Sequence, residues 1–90
     1  MPIIVQKYGG TSIGSIEKIN AVANKIIAEK NNGNDLVVVV SAMSGETNRL
    51  LELAKQANSE ASGRELDVLV STGEQVTISL LALALIKKGY

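Results

Sequence analysis

Leu36-Val37-Val38-Val39-Val40 is the stretch that most restricts what this chain can become. It is short, rich in β-branched residues and free of polar interruptions, which reads as a strand. It also lacks the apolar–polar alternation of a strand with one wet face, so it is expected to be buried on both faces, as in a parallel sheet. A second β-branched run, Ile3-Ile4-Val5-Gln6-Lys7-Tyr8, comes earlier and breaks at Gly9-Gly10. Between the two, Ile16, Ile19, Ala23, Ile26 and Ile27 recur at helical spacing. Ser15 is placed to cap that helix, Glu17 puts negative charge in its first turn, and Asn31-Asn32-Gly33-Asn34 stops it. Strand, helix, strand is a βαβ unit, with a right-handed crossover as the rule.

The rest of the chain reads as helical. Leu50, Leu51, Leu53, Ala54 and Ala57 mark a second helix after Ser44-Gly45, and residues 58–63 read as loop. A third helix is expected from Glu65, broken around Ser71-Thr72-Gly73. A fourth runs from about Glu74 to Lys88, apolar almost all round, with Gly89 as its stop. Its most apolar part, Val76 to Ile86, falls short of the roughly 20 residues that span a bilayer, so it reads as a core helix. Two parallel strands leave such a sheet unfinished. The expectation is an incomplete α/β domain, with parallel strands at 3–8 and 35–41 and about four helices, that stops before its sheet is complete.

Composition narrows the chemistry. Apolar residues make up 46% of the chain, enough for a packed core. Nine basic residues balance nine acidic ones, and there are two Tyr but no Phe or Trp. Neither a basic face nor a stacking platform for bases is present, which argues against nucleic-acid binding. With no cysteine and no histidine, disulfides, thiol catalysis, imidazole acid–base chemistry and most zinc sites are excluded. Any metal would be a hard cation held by oxygen atoms or by substrate phosphates. No targeting segment is visible, and the pattern suits a cytoplasmic protein.

Three stretches carry candidate chemistry. Lys7 ends a strand just before Gly9-Gly10, where open α/β sheets bind ligands. Glycines let a phosphate approach backbone N–H groups, and the ammonium would offset charge on a transferring phosphoryl group. The alternative is a tight turn with a solvated lysine; no Gly-Lys-Ser/Thr closes the segment as in a P-loop. Ser41 to Thr47 also follows a strand and opens a helix, supplying hydroxyls at Ser41, Ser44 and Thr47. Its plain reading is capping by Ser44 with Glu46 in the first turn. Ser71 to Gln75 matches a capping box, Ser71 with Glu74, opening the last helix. Alternatively Glu74 binds a substrate ammonium group. Arg49, Arg64, Glu65 and Asp67 read as surface charges.

Taken together, Lys7-Tyr8-Gly9-Gly10-Thr11-Ser12, Ser41-Ala42-Met43-Ser44-Gly45-Glu46-Thr47 and Ser71-Thr72-Gly73-Glu74-Gln75 resemble the aspartokinases of the amino-acid kinase superfamily. The resemblance covers essentially the whole chain and implies the amino-terminal part of a three-layer α/β/α kinase domain. It implies transfer of the ATP γ-phosphoryl group, with Mg2+ held mainly by the nucleotide, to the side-chain carboxylate of L-aspartate. That step opens lysine, threonine and methionine synthesis. Carried over by position, Lys7, Tyr8, Gly9, Gly10 and Ser41 lie on the ATP side, with Lys7 stabilising the transferred group. Thr47 and Glu74 bind aspartate. The family's domain continues well past Tyr90 and is usually followed by ACT domains, neither of which is in this sequence. The resemblance further implies a homo-oligomeric parent enzyme and little activity in these 90 residues alone. The alternatives are another phosphotransferase of the superfamily, or a non-catalytic segment that binds phosphate or self-associates.

Overall fold

The computed structural model describes residues 2–90. Strand β1 (Ile3–Tyr8) pairs in parallel with β2 (Asp35–Val40), from Ile3 opposite Asp35 to Tyr8 opposite Val40. This register brings both strands to their carboxyl ends at the same edge of the sheet.

The connecting helix α1 (Ile16–Asn31) is capped by Ser15, whose Oγ accepts from the Lys18 N–H at 3.2 Å. Ile19, Val22, Ala23 and Ile26 form its buried stripe; Val22 takes the place expected of Ile16, which lies exposed. The helix ends at Asn31, and Gly33 follows with a left-handed φ of 86°. Helix α2 (Glu46–Ala57) buries Leu50 and Ala54.

Helix α3 (Arg64–Lys87) corrects the sequence reading. The two helices expected on either side of Ser71-Thr72-Gly73 are one continuous helix of 24 residues, and no capping box forms. Ser71 Oγ donates to the Val68 carbonyl at 2.8 Å, and Thr72 Oγ1 donates to the Leu69 carbonyl at 2.6 Å. These hydroxyls bond back along their own helix instead of capping a new one. Gly73 costs the helix about 1 kcal/mol relative to alanine, and its place is explained by packing. Gly73, Thr77 and Leu81, four residues apart, are the buried stripe of α3. By length and composition alone α3 would also suffice to cross a membrane. It ends in a Schellman motif: Gly89 has φ 90°, its N–H donates to the Ile86 carbonyl, and the Tyr90 N–H donates to that of Leu85. The Tyr90 hydroxyl then donates to Asn31 Oδ1 at 2.6 Å, tying the ends of α3 and α1 together.

The core holds Ile13, Ile19, Val22, Ala23, Ile26, Val40 and Leu81, with Tyr8, Leu36 and Val38 packed against it. All the strand residues in that set lie on one face of the sheet. On the other face Ile3, Val5, Val37 and Val39 are 69%, 66%, 50% and 45% exposed. β2 is therefore half-covered rather than buried on both sides. Among the described residues α1 and α3 pack on the covered face and α2 packs on α3, giving two layers of the α/β architecture.

Candidate active site

Parallel pairing places the turns after β1 and β2 side by side. After Tyr8 the chain does not enter α1 directly. Gly9 is extended, and residues Gly10–Ile13 form a 3-10 turn, closed by the Ser12 N–H donating to the Gly9 carbonyl at 3.0 Å. The helix starts at Ile16, as the cap at Ser15 leads one to expect, and fully buried Ile13 anchors the intervening turn to the core. Lys18 Nζ donates to the Thr11 carbonyl at 2.9 Å and braces the turn from α1. Lys7 projects from the open face of the sheet, on the same side as Ile3 and Val5 and opposite Val39. It has no ion-pair partner among the described residues. The Tyr8 side chain packs toward the core, with its hydroxyl donating to Gln6 Oε1 at 3.2 Å.

The second stretch is stitched to the first by backbone. The Ser41 N–H donates to the Tyr8 carbonyl at 3.2 Å, and the Ser44 N–H donates to the Gly10 carbonyl at 3.1 Å. Gly45, left-handed at φ 82°, occupies the cap position of α2 in place of Ser44, which stands one residue earlier with its N–H engaged by the glycine turn. Glu46 stands in the first turn, as expected, and accepts from Arg49 Nε at 3.0 Å and Nη2 at 2.5 Å. That hydrogen bond outweighs the opposing desolvation and, with a smaller Coulombic contribution, holds the Glu46 carboxyl below its ordinary range. It raises the Arg49 guanidinium further. Thr47 is exposed beside Glu46.

The third stretch reaches the second through Gly73. A Cβ built on Gly73 would lie 3.1 Å from Ala42 Cβ, 3.3 Å from Glu46 Cγ and 3.3 Å from Leu50 Cδ1. One built on Gly10 would lie 2.9 Å from the Ala42 carbonyl oxygen. Ala42, itself buried, is thus wedged between the two glycines, and all three stretches meet around it. Glu74 follows Gly73 on the exposed part of α3 and has no ion-pair partner among the described residues. The sequence reading overlooked Ala42 and read Gly73 as a break. An isolated glycine in an otherwise helix-forming run is the signal that pointed to close packing.

The strand ends thus bring together glycine turns, hydroxyls and a lysine with no ion-pair partner among the described residues, the elements from which α/β folds build anion sites. The chain belongs to the amino acid kinase family, whose pattern matches residues 2–90. It is 65% identical over 89 residues to an aspartate kinase of Pseudomonas putida, covering 99% of this chain and 22% of that protein. With an aspartokinase of Bacillus sp. it shares 62% over 90 residues, covering 100% of this chain and again 22% of the relative. The crystal structure of aspartate kinase from Synechocystis superposes with a TM-score of 0.91 at 53% identity, covering 97% of this chain and 15% of that one. The chain therefore spans about a fifth of the length of the curated relatives it matches.

Proposed function

We propose that these residues are the amino-terminal portion of the kinase domain of an aspartate kinase, which phosphorylates the side-chain carboxylate of L-aspartate with ATP. The observation that carries this is the meeting of the three stretches around Ala42, in a chain with relatives named aspartate kinase. Gly9 has nothing within 4 Å of where a Cβ would stand, so its backbone is open to a phosphate. Gly9, Gly10 and the backbone of Tyr8 then form the phosphate side, with Ser41 at its edge. Lys7 offsets the charge that builds on the transferring group. Thr47 donates a hydrogen bond to aspartate, and Glu74 pairs with its α-ammonium group.

The substrate carboxylate is already ionised at neutral pH, so no general base is required. One carboxylate oxygen forms a bond to the γ-phosphorus as the bond to the bridging oxygen of ADP breaks. The electron pair leaves with ADP, and the product is 4-phospho-L-aspartate, an acyl phosphate. Mg2+ would travel with the nucleotide. Its charge would be met mainly by the nucleotide phosphates, as is usual for this hard cation. The same reading puts the enzyme in the cytoplasm, in a homo-oligomer, at the opening step of lysine, threonine and methionine synthesis.

The test is a chimera in which this chain replaces the matching residues of the Pseudomonas putida relative. With ATP, Mg2+ and aspartate, hydroxylamine should trap an aspartyl hydroxamate. Glu74→Gln should raise the KM for aspartate about tenfold or more, the cost of a charged hydrogen bond, and leave that for ATP alone. No hydroxamate from the chimera, or equal loss for both substrates in Glu74→Gln, overturns the assignment.

A further inference from the structure

Two residues without any functional group, Ala42 and Gly73, sit at the centre of the site. We propose that their contact is a steric stop. It sets the gap between the first turn of α2, which carries Thr47, and the part of α3 that carries Glu74, and so fixes the dimensions of the amino-acid pocket. Gly73 and Ala42 are positioning residues in this account, and the inference rests on the aspartate kinase reading of Thr47 and Glu74.

Gly73 stands ten residues into α3, at a position where helix propensity favours almost any other side chain. Its conformation does not require glycine, because its φ is not positive. What requires it is space. At 3.1 Å from Ala42 Cβ, an added methyl would force one of the two to give by a few tenths of an ångström. Ala42 has little freedom to yield. It is buried, and its carbonyl already lies where a Cβ on Gly10 would be only 2.9 Å away. The adjoining backbone is held by the Ser41 and Ser44 N–H groups. The displacement therefore falls on α3. There the buried Thr77 hydroxyl donates to the Gly73 carbonyl at 3.2 Å, so Gly73 moves with the helix turn beyond it. Glu74, the next residue, is carried along, while the Lys7–Gly10 side is not.

This asymmetry gives the test. In the chimera, Gly73→Ala should raise the KM for aspartate about three- to tenfold, since small misplacements of binding groups act steeply on affinity and rate. The KM for ATP should stay within about twofold. Adding Ala42→Gly removes the methyl group that Gly73→Ala strikes. The contacts left, Glu46 Cγ and Leu50 Cδ1, both stand at 3.3 Å, just short of ordinary van der Waals contact. The double variant should therefore return the aspartate KM to within about twofold of the parent chimera. If Gly73→Ala fails to fold, Ala42→Gly alone decides the matter. It frees α3 to settle toward the β2 turn and should shift the aspartate KM with the ATP KM unchanged. An unchanged aspartate KM in both single variants, a parallel rise for both substrates, or a double variant no better than Gly73→Ala overturns the inference. An inactive parent chimera instead overturns the kinase reading on which it stands.

Discussion

Replacing Gly9 and Gly10 by alanine, one at a time, should give two different defects although the residues are adjacent. A Cβ on Gly10 would stand 2.9 Å from the Ala42 carbonyl oxygen, where ordinary contact begins near 3.4 Å. The β1 and β2 turns must part by about 0.5 Å, with overpacking costs of about 1–3 kcal/mol. The separation also stretches the 3.1 Å bond from the Ser44 N–H to the Gly10 carbonyl, worth about 1 kcal/mol. A loss of about 2–4 kcal/mol in a chimera of roughly 400 residues corresponds to a fall in melting midpoint of about 2–5 °C. Misplacement of the phosphate loop by half an ångström should lower kcat/KM for ATP about tenfold. Gly9 behaves otherwise. Its φ of −81° and ψ of 171° suit any residue, and its Cβ would meet no protein atom within 4 Å. Gly9→Ala should melt within about 1 °C of the parent chimera and yet, on the aspartate kinase reading proposed above, bind ATP more weakly, because the added methyl would then meet the phosphates. Differential scanning fluorimetry with and without ATP, alongside initial rates, separates the two. Equal melting points for the two variants, or a Gly9→Ala protein that is destabilised without ATP, would refute the reasoning.

Other outcomes follow from the same geometry. Lys7→Met should lower kcat about 10²- to 10³-fold with little change in melting, since Lys7 is exposed on the open face and holds no partner there. The Glu46 carboxyl, held down by Arg49, should titrate lower by carbon-detected NMR than in an Arg49→Ala variant. Its folded pKa lies below the unfolded one, so the pair's contribution to stability is present above the unfolded value and disappears as pH falls through the folded one. The 90-residue chain alone should self-associate in sedimentation experiments through Ile3, Val5, Val37 and Val39. Val5→Lys with Val37→Lys, directly opposed across the strands, should abolish that association.

Much of the fold was legible because local chemistry had a single solution. β-Branched runs at 3–8 and 36–40, Ser15 before an apolar stripe, and glycines at 33 and 89 each had one economical use, and each stands where expected. Ser71 and Thr72 did not. A hydroxyl can cap a new helix or bond back to the carbonyl three residues earlier, and sequence spacing is the same for both. Which one wins depends on whether Gly73 has a partner to pack against, and that partner, Ala42, lies 31 positions away. Ser44 stands one residue short of the cap because left-handed Gly45 takes that position, and nothing in the spacing of Ser44 and Glu46 distinguishes the two. The half-bare β2 reflects which helices these residues supply, and no pattern within Leu36–Val40 encodes that.

The clasp between Tyr90 and Asn31 makes α3 a lever. Its far end is pinned to α1, and Glu74 sits about 20 Å up the shaft at 1.5 Å per residue. A pivot of about 3° at that fulcrum would carry Glu74 through about 1 Å and press Gly73 against Ala42, so the clasp and the Ala42 contact hold α3 at two points along its length. The end of α3 at Tyr90 and its turn at Gly73 are therefore mechanically linked, and cutting the clasp would loosen the setting of Glu74 as well.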